Sequence, residues 1–188
     1  MRRSLFLSGL FMATLAGIPD PAGEKSELLL KASREGDVAA VAKCIADGVD
    51  VNTQGRSGGT PLFLAAEGGH AEVVRFLLDH GADPNKIPRP VPSTGVIAMT
   101  PLMAAAAHGH AAVAELLLAH GADASIQVGE TALYEQGVTA LFLAAVNGHE
   151  DVVNVLTRAS TAGGGLWKYL VVGIWILMGT VLMLQGDE

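Results

Sequence analysis

The sequence predicts an all-α protein, in which a solenoid of about four helix-turn-helix units is followed by a C-terminal transmembrane helix. Two observations predict this fold class. Segments of similar sequence recur through residues 26–160, and recurrence of this kind is typical of stacked helical units. Residues 166–184 then form a long apolar run with a single charge, which is long enough to cross a bilayer as a helix.

Two arginines follow Met1, and an apolar stretch then covers residues 5–18. As a helix this stretch would be about 21 Å long, which is shorter than a bilayer core of roughly 30 Å. Thr14 and Ala16 supply small residues ahead of a cleavage site. These features predict a signal peptide over residues 1–16, with an uncleaved N-terminal anchor as the alternative. Residues 17–25 are predicted to be a linker.

Three copies of one motif begin at Thr60, Thr100 and Thr139 and run TPLFLAAEGGH, TPLMAAAAHGH and TALFLAAVNGH. A weaker copy begins at Glu27, and a second apolar segment follows each copy. Thr-Pro favours a helix start, because threonine caps the first turn and proline lacks only an N–H that would have no partner there. Glycine then ends each helix. The predicted helix pairs cover about residues 26–58, 59–98, 99–137 and 138–160, and they must stack to bury their apolar faces.

The skeleton T-P-L, A-A, G-H, V-V, L-L, G-A-D and N is nearly complete in the second and third units, and it closely resembles the ankyrin repeat. The resemblance covers roughly residues 26–160 and implies an ankyrin-repeat solenoid that binds other proteins and is not an enzyme. The histidine usual after T-P-L is replaced by Phe63, Met103 and Phe142, so we expect packing where that family has a polar bridge. The first and fourth units depart most and are interpreted as caps.

Two insertions lengthen the connections after the second and third units, and insertions at equivalent places in a repeat often lie on the binding face. The alternative is that both are tolerated surface insertions. A second candidate surface is formed by the positions that vary between units at the ends of the first helices. Together they give the predicted partner contacts: Glu67, Ile87, Arg89, Val91, Met99, Ala107, His108, Tyr134, Val146 and Asn147.

His108 and His110 stand two residues apart in a run of alanines, which raises the question of a metal site. His110 aligns with His70 and His149, so we expect these three to bond backbone groups at the turn between helices. A metal site needs several converging ligands, and the sequence contains no H-E-x-x-H or P-loop motif and no G-x-G-x-x-G after a strand. We therefore predict no metal, no cofactor and no catalytic residue.

Charge and cysteine content narrow the function further. The formal net charge is −7 and the basic residues are scattered, which argues against a nucleic-acid partner. Cys44 is the single cysteine and aligns with Leu77 and Leu117. It is predicted to be a buried, apolar side chain, and no intramolecular disulfide is possible.

A glycine-rich joint over residues 161–165 is predicted to connect the repeats to the apolar run. Residues 166–184 would form about 28 Å of helix, and a buried core helix fits poorly because no polar face is present. Aromatic and basic residues suit the membrane interface, and residues 185–188 are left as a tail. The predicted membrane anchors are Trp167, Lys168, Tyr169 and Trp175.

These features predict a single-pass membrane protein that follows the secretory route, with its repeats on the non-cytoplasmic side. Arg158 and Lys168 favour the opposite orientation by the positive-inside tendency. Two charges are weak evidence for an orientation. The predicted function is that of a non-catalytic protein-protein interaction module, with an unidentified protein and the lipid bilayer as partners. The alternative is an accessory subunit or stabiliser of an integral membrane complex, whose main contact is the transmembrane helix.

Overall fold

The computed structural model describes residues 21–55, 58–88, 99–128 and 137–162. These residues form eight α-helices. Extended pairing within them is limited to one antiparallel bridge, between Val128 and Val138. The helices are α1 (Pro21–Glu35), α2 (Val38–Ala46), α3 (Pro61–Glu67), α4 (Ala71–Asp79), α5 (Pro101–Ala107), α6 (Ala111–Ala119), α7 (Ala140–Val146) and α8 (Glu150–Ala162).

The helices form two layers of a stack. The first helices of the units, α1, α3, α5 and α7, pack on one another in chain order and form one layer. The second helices, α2, α4, α6 and α8, form the other layer, and each packs on the first helix of its own unit. The predicted arrangement of four stacked helix pairs is therefore confirmed.

Threonine caps begin three of the first helices, as the sequence predicts. The hydroxyl oxygens of Thr60, Thr100 and Thr139 each accept a hydrogen bond of 3.2 Å from the backbone N–H three residues further on. Proline occupies the first turn in α3 and α5. In α7 alanine takes that place and the cap persists, because the hydroxyl rather than the proline makes the bond.

The core runs between the two layers. Its large members include Leu62, Leu77, Leu102 and Leu117, which are at most 2% exposed. Fully buried alanines such as Ala65 separate consecutive first helices, and their small side chains let the helix backbones approach closely.

Cys44 lies in this core with 4% of its surface exposed, which confirms the prediction for it. Burial disfavours the thiolate and raises the pKa of the Cys44 thiol, and the nearby Asp47 carboxylate adds to the effect.

The helices extend beyond the predicted repeat boundaries at both ends. α1 begins at Pro21, so residues 21–25 of the predicted linker are helical, and proline suits the first helical position. Lys25 in this extension lies 3.6 Å from Asp47, an ion pair that joins α1 to the end of α2. α8 continues to Ala162 and includes two residues of the predicted joint.

The predicted signal peptide and transmembrane helix do not belong to the part of the chain that the structure describes. Residues 1–16 and 166–184, with Trp167, Lys168, Tyr169 and Trp175, lie outside the described residues. Within 21–55, 58–88, 99–128 and 137–162, none of the helices combines the length and the hydropathy needed to cross a bilayer.

Candidate functional site

Histidine side chains connect the ends of the first helices into one row. Each imidazole stands at the turn inside a unit, and its Nε2–H donates to a carbonyl near the end of the preceding unit's first helix. The prediction that these histidines bond backbone groups is confirmed. The pairs are His70 with Arg34 at 2.8 Å, His110 with Glu67 at 3.0 Å and His149 with Ala107 at 3.0 Å.

Glycines in the preceding turns make room for these rings. A Cβ atom on Gly69 would lie 2.6 Å from the His110 ring, and one on Gly109 would lie 2.7 Å from the His149 ring. Both glycines also have positive φ angles, +74° and +77°, which other L residues adopt only with strain. The glycine of one unit and the histidine of the next unit therefore pack directly against each other at the interface between units.

The same helix ends carry residues that differ from unit to unit. We call them the contact row: Arg34, Glu35, Glu67, Gly68, Ala107, His108, Val146 and Asn147. Glu67 and Ala107 are half-buried, and the other six are exposed. Val146 is an apolar side chain with 59% of its surface exposed. The row changes from two charged residues at the first unit to one apolar and one uncharged polar residue at the fourth.

Two predicted contact residues of the row have structural bonds as well. The Asn147 amide donates to the Ala107 carbonyl at 3.0 Å, and the same oxygen accepts from His149. His108 bonds through Nδ1 to the Ala104 carbonyl of its own helix at 3.0 Å. Its ring lies nearly parallel to that of His110, with 6.2 Å between centroids. Asn147 thus has an inter-unit role, whereas His108 bonds only within its own unit here.

The insertions are only partly described. Ile87 is 39% exposed at the start of the first insertion, while Arg89, Val91 and Tyr134 lie outside the described residues. Val128 and Val138 bracket the second insertion and exchange backbone hydrogen bonds of 3.1 and 2.9 Å. The two ends of that insertion are therefore held together.

Met99, another predicted contact, is half-buried. It packs against a small apolar cluster that includes Phe63 and Leu64. Phe63 and Met103 are 4% and 1% exposed, so packing does replace the polar bridge at these positions, as expected.

A second set of inter-unit bonds was not anticipated. The Asn52 amide donates to the Gly81 carbonyl at 3.1 Å and accepts from the Asp83 N–H at 2.9 Å. Asn85 makes the same two bonds to Gly121 and Asp123, at 3.1 and 2.8 Å. The asparagine that ends the G-A-D-x-N pattern was visible in the sequence, but only the structure shows that it reaches the next unit.

Among the described residues, titratable side chains do not converge on a metal site. In the part of the chain that the structure describes, no three His, Cys, Asp or Glu residues are placed to hold a metal ion. His108 and His110 bond separate carbonyls, in different units.

Known families match most of the chain. A family model of ankyrin repeats in three copies matches residues 10–88 and 91–163, and a model of many copies matches residues 62–118. No catalytic family is indicated. The first match begins within the segment for which a signal peptide is predicted.

Curated relatives carry the repeat within much longer chains. The mouse (Mus musculus) protein "Ankyrin repeat, SAM and basic leucine zipper domain-containing protein 1" is 44% identical over 63 residues, which are 34% of this chain and 13% of that protein. Its counterparts from Loxodonta africana and Microcebus murinus are 42% and 41% identical over 65 and 66 residues, or 35% of this chain and 14% of theirs. The chain thus corresponds to a small part of these relatives. On the family matches and the stacked helix pairs, it belongs to the ankyrin repeat family.

Proposed function

We propose that this chain is a protein-binding module held at a membrane by residues 166–184, and that it binds its partner along the contact row. Ankyrin repeats suggest a protein-protein interaction module, and the partner is unidentified. The observation that supports this site is the set of histidine bonds of 2.8–3.0 Å between consecutive units. They align the variable helix ends along one edge of the stack before any partner arrives.

Preorganisation is what makes such a row useful. A partner that binds along a fixed edge does not have to order it, so less of the interaction free energy is lost on association. Arg34 and Glu35 are exposed at one end of the row, and Val146 is exposed at the other. We therefore propose a partner whose own surface is charged at one end of the contact and apolar at the other. The exposed Ile87 and the insertion residues Arg89, Val91 and Tyr134 are proposed to extend this contact.

The membrane tether is proposed from sequence. The apolar run begins four residues after α8 ends at Ala162, so the anchor would leave the stack beside the fourth unit. The secretory route and a non-cytoplasmic repeat domain are proposed on the pattern of residues 1–16. N-terminal sequencing of mature protein and protease accessibility on sealed vesicles test both. An intact Met1 with exposed repeats would contradict the proposed route.

Partner capture from solubilised membranes tests the binding surface. The full chain is used as bait, and Glu67→Arg with His108→Glu changes the middle of the row. We expect this variant to lose the bound protein, because both changes reverse or add charge at the contact. The control is Arg75→Glu on the exposed face of α4, which should capture as the parent does. If the row variant captures normally, the site assignment is wrong.

A second bait distinguishes the proposed interaction module from the alternative function as an accessory subunit. Residues 166–184 are replaced by an unrelated apolar helix of equal length, which keeps a tether and removes any specific contact. We expect capture to persist. Loss of capture would favour the alternative, in which the apolar segment itself is the main contact within a membrane complex.

A further inference from the structure

The two ends of the stack have different chemistry. Leu141 and Ala145 of α7 and Val153 of α8 are partly exposed; we call them the terminal face. Their equivalents in the second and third units are at most 2% exposed: Leu62, Leu102, Ala66, Ala106, Val74 and Ala114. In the first unit the equivalents Leu29, Ser33 and Val41 are also fully buried. These positions therefore face the following unit, and the fourth unit has none among the described residues.

The opposite end is built as a polar cap. The position that faces the preceding unit is occupied by Leu28, which is 52% exposed in α1. Charged and exposed side chains surround it along the helix: Glu24, Lys25, Glu27 and Lys31. A polar outer face is what keeps the end of a repeat stack in solution. The terminal face has only apolar side chains where that end has charges.

We propose that the terminal face packs against the terminal face of a second copy of this chain, so that the protein forms a two-fold dimer at the membrane. The inference rests on the tether of the proposed function. A two-fold contact brings the same patch of each copy together, and here that places apolar on apolar. Head-to-tail stacking would instead place the exposed charged side chains Glu27 and Lys31 of α1 against the apolar Leu141, and taking charged groups out of water is costly.

The tether determines where this contact forms. Four residues, extended at about 3.3–3.6 Å each, span only about 14 Å, so the fourth unit of every copy would be held close to the bilayer. The fourth units of all copies in one membrane would then lie at the same distance from the bilayer and in the same orientation. Confinement to the membrane raises the effective concentration of the copies without any new contact. A face of a few side chains is weak in solution, and confinement of this kind favours its association.

Two other occupants fit less well. A lipid surface favours basic borders, whereas the exposed charges of α8 are two acidic side chains, Glu150 and Asp151, and one basic side chain, Arg158. The chain's own residues 166–184 have no polar side, so packing them on the terminal face would leave the rest of that helix apolar and exposed.

Cross-linking of the full chain in phosphatidylcholine vesicles tests the dimer. Val146→Cys places a thiol at the edge of the terminal face, on a side chain that is already 59% exposed. Lys31→Cys is the matched control at the polar end. Native Cys44 is 4% exposed, so the added cysteine is the reactive one. With a short bis-maleimide we expect about tenfold more cross-linked dimer from Val146→Cys than from Lys31→Cys. Adding Ala145→Arg to Val146→Cys should remove the excess.

Vesicle flotation is measured on the same samples. Protein that does not float refutes the tether, and with it the membrane part of the proposed function. Protein that floats without an excess of the Val146→Cys dimer overturns the dimer alone. Equal yields at both positions indicate random collision and also overturn it. Quenching of a bimane label on Val146→Cys by brominated lipid would show that lipid covers the terminal face instead. That result would also overturn the proposed dimer.

Discussion

The second and third units and the fourth unit have nearly the same motif in different surroundings. In α3 and α5 the first six residues are all buried, residues 61–66 and 101–106. In α7 only Ala140 and Ala144 are buried, although TALFLAA differs from TPLFLAA at one position. Burial in a solenoid is therefore conferred by the neighbouring unit, and stability is expected to follow the interfaces between units rather than the motif.

The test with the largest expected effect on stability shortens a leucine side chain to alanine at equivalent positions of two units. Leu102→Ala opens a cavity between two units, because Leu102 is 1% exposed, and we expect a loss of about 3 kcal/mol in the free energy of unfolding. Leu141→Ala acts on a half-buried side chain at the end of the stack, where about 1 kcal/mol is expected. Urea unfolding of the full chain, followed by far-UV circular dichroism, measures both. Equal losses would show that the motif itself, and not the neighbouring unit, determines how much each leucine contributes to stability.

Much of the fold could be predicted because its signals are local. Thr60, Thr100 and Thr139 mark helix starts through a bond made within one turn, so the pattern suffices without tertiary context. The turn histidines could likewise be assigned to backbone bonds, because His70, His110 and His149 recur in register. The extra helical residues from Pro21 were missed, since the repeat alignment had no counterpart for them.

The features that depend on neighbours could not be predicted. Leu62 and Leu141 have almost the same residues beside them in sequence, yet one is buried and the other is half-buried. Asn52 and Asn85 were seen as part of a pattern, but their partners lie in the following unit. Of the proposed site, the exposed row is described and Arg89, Val91 and Tyr134 stay predictions.

A second test compares two glycines with the same backbone conformation. Gly109 and Gly148 have φ angles of +77° and +74°, so alanine is strained at either site. At Gly109 the new Cβ would also meet the His149 ring at 2.7 Å, whereas nothing lies within 4 Å of one at Gly148. We expect Gly109→Ala to lower the free energy of unfolding by about 2 kcal/mol and Gly148→Ala by about 1 kcal/mol. Thermal unfolding of both variants in parallel measures the difference between the two losses. This difference is the contribution of the glycine–histidine contact between units. Identical losses would mean that backbone strain alone accounts for them.

The smallest expected effect concerns the asparagine bonds between loop tips. Asn85→Ala removes the bonds to the Gly121 carbonyl and the Asp123 N–H. Because these groups are exposed and water can replace the lost partner, we expect a loss of only about 1 kcal/mol. Ser125 occupies the equivalent position in the third unit and bonds Asp123 of its own loop at 2.6 Å. Ser125→Ala should therefore change stability by less than about 0.5 kcal/mol. Native-state hydrogen exchange at the Asp123 amide adds a local measurement, since Asn85→Ala should speed its exchange while the helix amides of α3 stay protected. If Ser125→Ala costs as much as Asn85→Ala, the loop conformation rather than the contact between units is what the asparagine stabilises.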